Sequence, residues 1–115
     1  MSLEFNISSN NGISIVSFIG KIVSDENLVL LQKEISALNE PNAMNLIFDF
    51  GQLTHINSSG INFIIRSLTR SRIINRDLVL TSITGNVKTI FEIAKITEIF
   101  SIYATVSEAI NHFKN

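Results

Sequence analysis

Leu3, Phe5 and Ile7 alternate with polar residues, and after Asn10-Asn11-Gly12 the apolar positions resume at Ile13 and Ile15, with Phe18 and Ile19 beyond. Alternation on both sides of Asn-Gly, which accepts positive φ in tight turns, predicts a β-hairpin whose second strand ends at Gly20. The period then changes. Leu28, Leu31, Ile35 and Leu38 are spaced by three, four and three behind Ser24, Asp25 and Glu26, which suit an N-cap and an acidic first turn. This predicts an amphipathic helix closed before Pro41. Met44 to Phe50 is a mostly apolar run of strand length, consistent with a strand covered on both faces.

After a short connection, Ile61, Ile64, Ile65 and Leu68 share one face of a helix from Ser58 to about Ser71, and Asn75 is suited to a left-handed C-cap. Leu78 to Ile83 reads as a strand. Gly85-Asn86 opens a helix with Val87, Ile90, Phe91 and Ala94 on one side, and Ile99 to Tyr103 makes a last short strand. Thr105 and Glu108 have capping-box spacing ahead of a final helix through Phe113. The order is ββαβαβαβα, an α/β fold with a mixed, largely parallel sheet and helices as crossovers.

Composition narrows the function classes. The 115 residues are 45% hydrophobic and 17% charged with net charge -1, which fits a single domain spanning 1–115 able to bury a core unaided. Cysteine is absent, which removes disulfides, thiolate metal sites and cysteine nucleophiles, and His55 and His112 are too few for a multi-histidine metal site. No cofactor is implied. Near-neutral charge argues against general nucleic-acid binding, and the apolar runs fall far short of the roughly 20 residues that span a bilayer. Met1-Ser2-Leu3-Glu4-Phe5 shows no signal-peptide pattern, so a cytoplasmic location is expected and two glycosylation sequons, at Asn6 and Asn57, are read as chance.

Open α/β sheets bind at the carboxyl ends of strands, where the next helix begins. Here that junction runs from Asp49 to Gly60 and ends Asn57-Ser58-Ser59-Gly60. Asn57 or Ser58 can cap the helix, and the amides behind the cap form an anion site that would tolerate a phosphate on Ser58. A capped helix start with no further role is the other reading of the same four residues.

The element order and the run Leu46-Ile47-Phe48-Asp49-Phe50-Gly51-Gln52-Leu53-Thr54-His55-Ile56-Asn57-Ser58-Ser59-Gly60-Ile61 resemble the STAS domain, in particular the small bacterial anti-sigma factor antagonists. There, a strand ending in aspartate leads to Asp-Ser-Ser-Gly or Asp-Ser-Thr-Gly. The likeness extends through Thr84 to Ala94, Ile99 to Tyr103, and Ser107 to Ile110. It implies a non-enzymatic partner switch. Such a protein sequesters an anti-sigma factor that is also a serine kinase, a GHKL-type ATPase, and so releases a sigma factor for transcription. The kinase phosphorylates the first serine of the motif, here Ser58, and a PP2C-type phosphatase resets it. Ser59 becomes a neighbouring polar contact, and Gly60 lets the helix start approach the sheet or the partner.

Asn57 stands where the family has aspartate, and Gly20-Lys21-Ile22-Val23 where it often has Gly-Glu-Leu-Asp, so Val23 replaces a second acid. Asp49 remains as an acid of the motif, and Asp25 is two positions beyond Val23. Asn62 and Lys95 occupy places where glycine is common. The resemblance thus marks Val23, Asp25, Asn57, Ser58, Ser59, Gly60 and Arg66 as partner-binding residues.

All four arginines, Arg66, Arg70, Arg72 and Arg76, follow Ser58, with Arg66 and Arg70 one helical turn apart. A solvated helix face and a surface that meets an acidic partner both fit them. Three other readings fit the chain: an unphosphorylated STAS scaffold, a regulatory STAS subunit of a membrane transport assembly, and a hydrolase using Ser58 or Ser59 with His55, which needs the base held by a third group.

Overall fold

Two left-handed residues, Asn11 at φ 52 and Gly12 at φ 82, close the hairpin between β1 (Leu3–Asn10) and β2 (Ile13–Ile22). This is the turn that the Asn-Gly pair predicts, and it sets Asn10 opposite Ile13 in antiparallel register. The computed structural model describes residues 3–37 and 45–114. Leu38, the helix stop before Pro41, and Met44 as first residue of a strand lie outside them.

The remaining elements are α1 (Glu26–Ala37), β3 (Asn45–Ile56), α2 (Ser58–Ile73), β4 (Leu78–Thr81), α3 (Gly85–Ile93), a 3-10 turn at Ile96–Glu98, β5 (Ile102–Tyr103) and α4 (Val106–Lys114). The five strands lie in the order β1-β2-β3-β4-β5, and every pair after the hairpin is parallel. Helices therefore serve as crossovers, as the alternation of periods requires.

One face of the sheet carries the larger core. Leu28, Leu31 and Ile35 of α1, Phe63, Ile64 and Leu68 of α2, and Val87 and Phe91 of α3 pack on Val16, Phe18, Leu46, Phe48 and Phe50. Phe18 stacks on Phe50 at 5.0 Å between centroids and meets Phe48 edge-on at 5.1 Å. Burying each such ring stabilises the fold by about 1.5–3 kcal/mol, so the strands under α2 are held firmly. α4 covers the other face, where Ala109, Ile110 and Phe113 meet Ile13, Ile47 and Val79.

Strand ends differ from the sequence expectation. β2 does not stop at Gly20: register shifts after Ser17 and Gly20 let it continue to Ile22, opposite Ile56. β3 does not stop at Phe50 but runs to Ile56, because β2 beside it supplies partners and Leu53 and Ile56 are buried. β4 ends at Thr81 rather than Ile83, since Ser82 turns left-handed at φ 62. β5 keeps only Ile102 and Tyr103, the 3-10 turn having drawn Ile99 out of extended geometry. α2 runs two residues past Ser71, and Asn75 takes the left-handed cap at φ 61. Ala94 is not on the buried side of α3; it is exposed at the helix C-cap.

Candidate partner-binding site

The end of β3 and the start of α2 form one rigid corner. Ile22 pairs with Ile56, and the next carbonyl contact passes to the junction itself: the Asn57 amide donates to the Ile22 carbonyl at 3.0 Å. Asn57 is extended, φ -108 and ψ -177, and its Oδ1 accepts from the Gly60 amide at 3.0 Å. The cap is therefore Asn57, not Ser58. Its carbonyl also accepts from the Ile61 amide at 3.0 Å, starting the helical ladder.

This arrangement leaves Ser58 exposed as the first helical residue and Ser59 half-buried beside it. Amides in a first helical turn precede the helix's own acceptors and carry partial positive charge. Gly60 is buried: a Cβ there would lie 2.6 Å from Ile56 Cγ1 and 2.9 Å from Ile22 Cγ2. Its close approach is to the sheet rather than to a partner.

Two clefts of about 310 Å³ each flank the corner. Between α2 and α3, Ser58, Ile61 and Asn62 face Ile90, Ile93 and Ala94. Between α2 and α1, Ser59, Asn62 and Arg66 face Asp25, Val29 and Gln32. Val23 follows Ile22 at the same corner and is 51% exposed. The seven residues marked from sequence thus fall in one neighbourhood: Val23, Asn57, Ser58, Ser59 and Gly60 at the corner, Asp25 and Arg66 in the α1 cleft. Ile90, Ile93 and Ala94 were not among them. Ile93, 77% exposed, is an apolar side chain off the buried stripe of α3, and that misplacement was the signal available.

Asp49 does not belong here. It lies seven residues up β3 on the sheet face shared with Ile47, where its carboxylate accepts from the Ser17 hydroxyl at 3.3 Å and the Gly51 amide at 3.0 Å. His55 is exposed, and its Nδ1 is 2.9 Å from Thr54 Oγ1, which itself donates to the Gly20 carbonyl at 3.0 Å. With the threonine hydrogen committed, Nδ1 is the donor, and the ring is engaged by Thr54. The arginines diverge as well. Arg70 donates to Ser36 Oγ of α1 at 2.8 Å, Arg72 to the Ile99 carbonyl at 3.5 Å and Arg76 to the Asn75 carbonyl at 3.0 Å. Of the four, Arg66 reaches the corner. Among the described residues no cluster of three or more histidines and carboxylates could hold a metal ion, and no helix is long and apolar enough to cross a membrane.

A five-stranded, mostly parallel sheet with this element order, and a capped serine corner after its third strand, define a recognisable class of domain. The chain belongs to the STAS domain family, which it matches over residues 4–109. It is 26% identical over 93 residues to BtrV of Bordetella bronchiseptica, named as a candidate anti-sigma factor antagonist, with 81% of this chain and 80% of that one covered. Its fold is similar to that of an anti-sigma factor antagonist from Mycobacterium paratuberculosis, with TM-score 0.81 and 16% identity over 99% of this chain and 96% of that one. It is equally similar to the antagonist SpoIIAA in its unphosphorylated form, TM-score 0.81 and 16% identity over 96% of each chain. The phosphorylated form of Bacillus SpoIIAA gives TM-score 0.75 at 16% identity, over 96% of this chain and 99% of that one. A segment of the murine anion transporter Slc26a9 shares the fold as well, TM-score 0.72 and 16% identity over 91% of this chain and 18% of that one.

Proposed function

We propose that this protein is an anti-sigma factor antagonist whose Ser58 corner binds an anti-sigma factor in the cytoplasm and thereby frees a sigma factor for transcription. The partner is a GHKL-type serine kinase that phosphorylates Ser58, and a PP2C-type phosphatase restores the hydroxyl. The observation that carries this reading is the exposed Ser58 side chain, set on a helix start fixed to the core and flanked by two clefts. Likeness to BtrV and to SpoIIAA, solved with and without phosphate, supports it.

The geometry suits a switch that works without refolding. A phosphoryl group adds about 1.5–2 negative charges, which the positive end of α2 tolerates. Against a partner, the same charge sits beside Ile61, Ile90 and Ile93 and is costly to desolvate. Binding is lost while the domain stays intact. A binding role is favoured over hydrolysis because, among the described residues, His55 hydrogen-bonds to Thr54 and not to Ser58 or Ser59.

Titration of the purified protein against its cognate anti-sigma factor, with and without ATP, tests the proposal. ATP is expected to weaken binding and to add one phosphate, mapped to Ser58 by mass spectrometry; Ser58→Asp weakens binding by at least about tenfold and Ser58→Ala removes the ATP effect. Unaltered binding by both variants would defeat the switch. Asn57 and Val23, neutral where acids are usual, also fit an unphosphorylated scaffold, and binding with no phosphate acquired would select it. The Slc26a9 likeness keeps a second reading in view, a regulatory domain of a transport assembly; copurification with membranes instead of an anti-sigma factor would favour it.

A further inference from the structure

The face that α2 turns toward α1 has an unusual makeup. Phe63, Arg66, Ser67, Arg70, Ser71 and Ile74 follow one another at helical spacing, i, i+3, i+4, i+7, i+8 and i+11. Serines thus stand at the middle of a stripe where two packed helices ordinarily interlock large apolar side chains. The result is a cavity of about 470 Å³, within the range that holds small ligands. Ile35, Leu46 and Phe63, each no more than 4% exposed, form its apolar floor.

Its polar groups are only partly spent on the fold. Ser67 donates to the Phe63 carbonyl at 2.9 Å, but the Ser71 hydroxyl, 2% exposed, has no hydrogen-bond partner among the described residues. A buried hydroxyl left so is costly unless something in the cavity meets it. At the rim, Arg66 and Arg70 are exposed, and among the described residues neither has a carboxylate within ion-pair distance. Arg70 gives one N–H to Ser36 across the mouth and keeps others for a second acceptor.

We propose that this cavity binds a small amphiphilic carboxylate, its apolar body on Ile35, Leu46 and Phe63 and its head held between Arg66 and Arg70 within reach of Ser71. Guanidinium forks match a planar carboxylate, and the floor takes a hydrocarbon body without leaving polar groups unpaired. The site shares Arg66 with the cleft beside Ser59 but does not include Ser58, and it stands whether or not the protein antagonises an anti-sigma factor.

Octanoate is the probe, followed by calorimetric titration and thermal melting of the full chain, with octan-1-ol and acetate as comparisons. Saturable one-to-one binding of octanoate below about 1 mM is expected, with a raised Tm and much weaker binding of the other two. Arg70→Gln, an exposed change, is expected to weaken binding about tenfold while leaving the ligand-free Tm in place. Ser71→Leu fills the void, so it should raise the ligand-free Tm and abolish binding. No saturable binding, equal binding of octan-1-ol, or an unaltered affinity in Arg70→Gln would each overturn the proposal; the last applies even if Ser71→Leu does not fold.

Discussion

Gly60 is the tightest point at the corner, with the Ile56 Cγ1 methylene and the Ile22 Cγ2 methyl both inside 3 Å of where a Cβ would stand. Gly60→Ala is therefore expected to cost about 1–3 kcal/mol, read as a lower urea midpoint at unchanged slope. Lys95 offers the opposite case: it is exposed and held left-handed at φ 61 just after α3, a geometry that disfavours a side chain. Lys95→Gly should gain up to about 1 kcal/mol by thermal or chemical denaturation, strain relief exceeding the added freedom of the unfolded chain. Residues whose roles are local were legible in the sequence. Asn11-Gly12 and Asn75 show their left-handed turns by residue type alone, and Asn57 was one of two candidate caps. Asp49 and His55 were not legible, because which way each points depends on strand parity and on the neighbouring β2.

Among the elements, β3 shows why the strand ends were misread. Beyond Phe50 its buried residues come every third position, Leu53 and Ile56, with Gly51, Gln52, Thr54 and His55 exposed between them. A local pattern of that kind does not look like a strand. It becomes one because β2 shifts register twice alongside it, which no window of sequence around β3 records. The opposite holds for α4, whose capping box was visible: the Glu108 amide donates to Thr105 Oγ1 at 3.2 Å, and its carboxylate accepts from the Ala104 amide at 3.1 Å. Farther along α4, Tyr103 of β5 and His112 are joined by a 2.7 Å hydrogen bond between the phenol and Nδ1. Tyr103→Phe should cost about 1 kcal/mol and speed amide hydrogen exchange across residues 106–114, leaving β3 exchange unchanged apart from the global loss.

At the level of the whole molecule, the apolar share of the chain is accounted for by a sheet covered on both faces, and the family could be read from element order plus one short motif. The clefts could not, since Ile93 meets the start of α2 only once α3 has crossed the sheet. Exposed Val23 and Ile93 lie at the Ser58 corner, and the residues at 23 and 57 are both uncharged. A partner is thus expected to recognise this end chiefly through apolar contact. Val23→Glu and Ile93→Glu should each weaken anti-sigma factor binding by about tenfold with little change in Tm, and the wild-type affinity should depend only weakly on salt. The seam of Gly60 against Ile22 and Ile56 joins the end of β2 to two positions, at the end of β3 and the start of α2, that lie far from it in the chain. Among diverging descendants of this gene, a larger residue at 60 should survive only where 22 or 56 has already become smaller, so the three sites carry a shared mutational history.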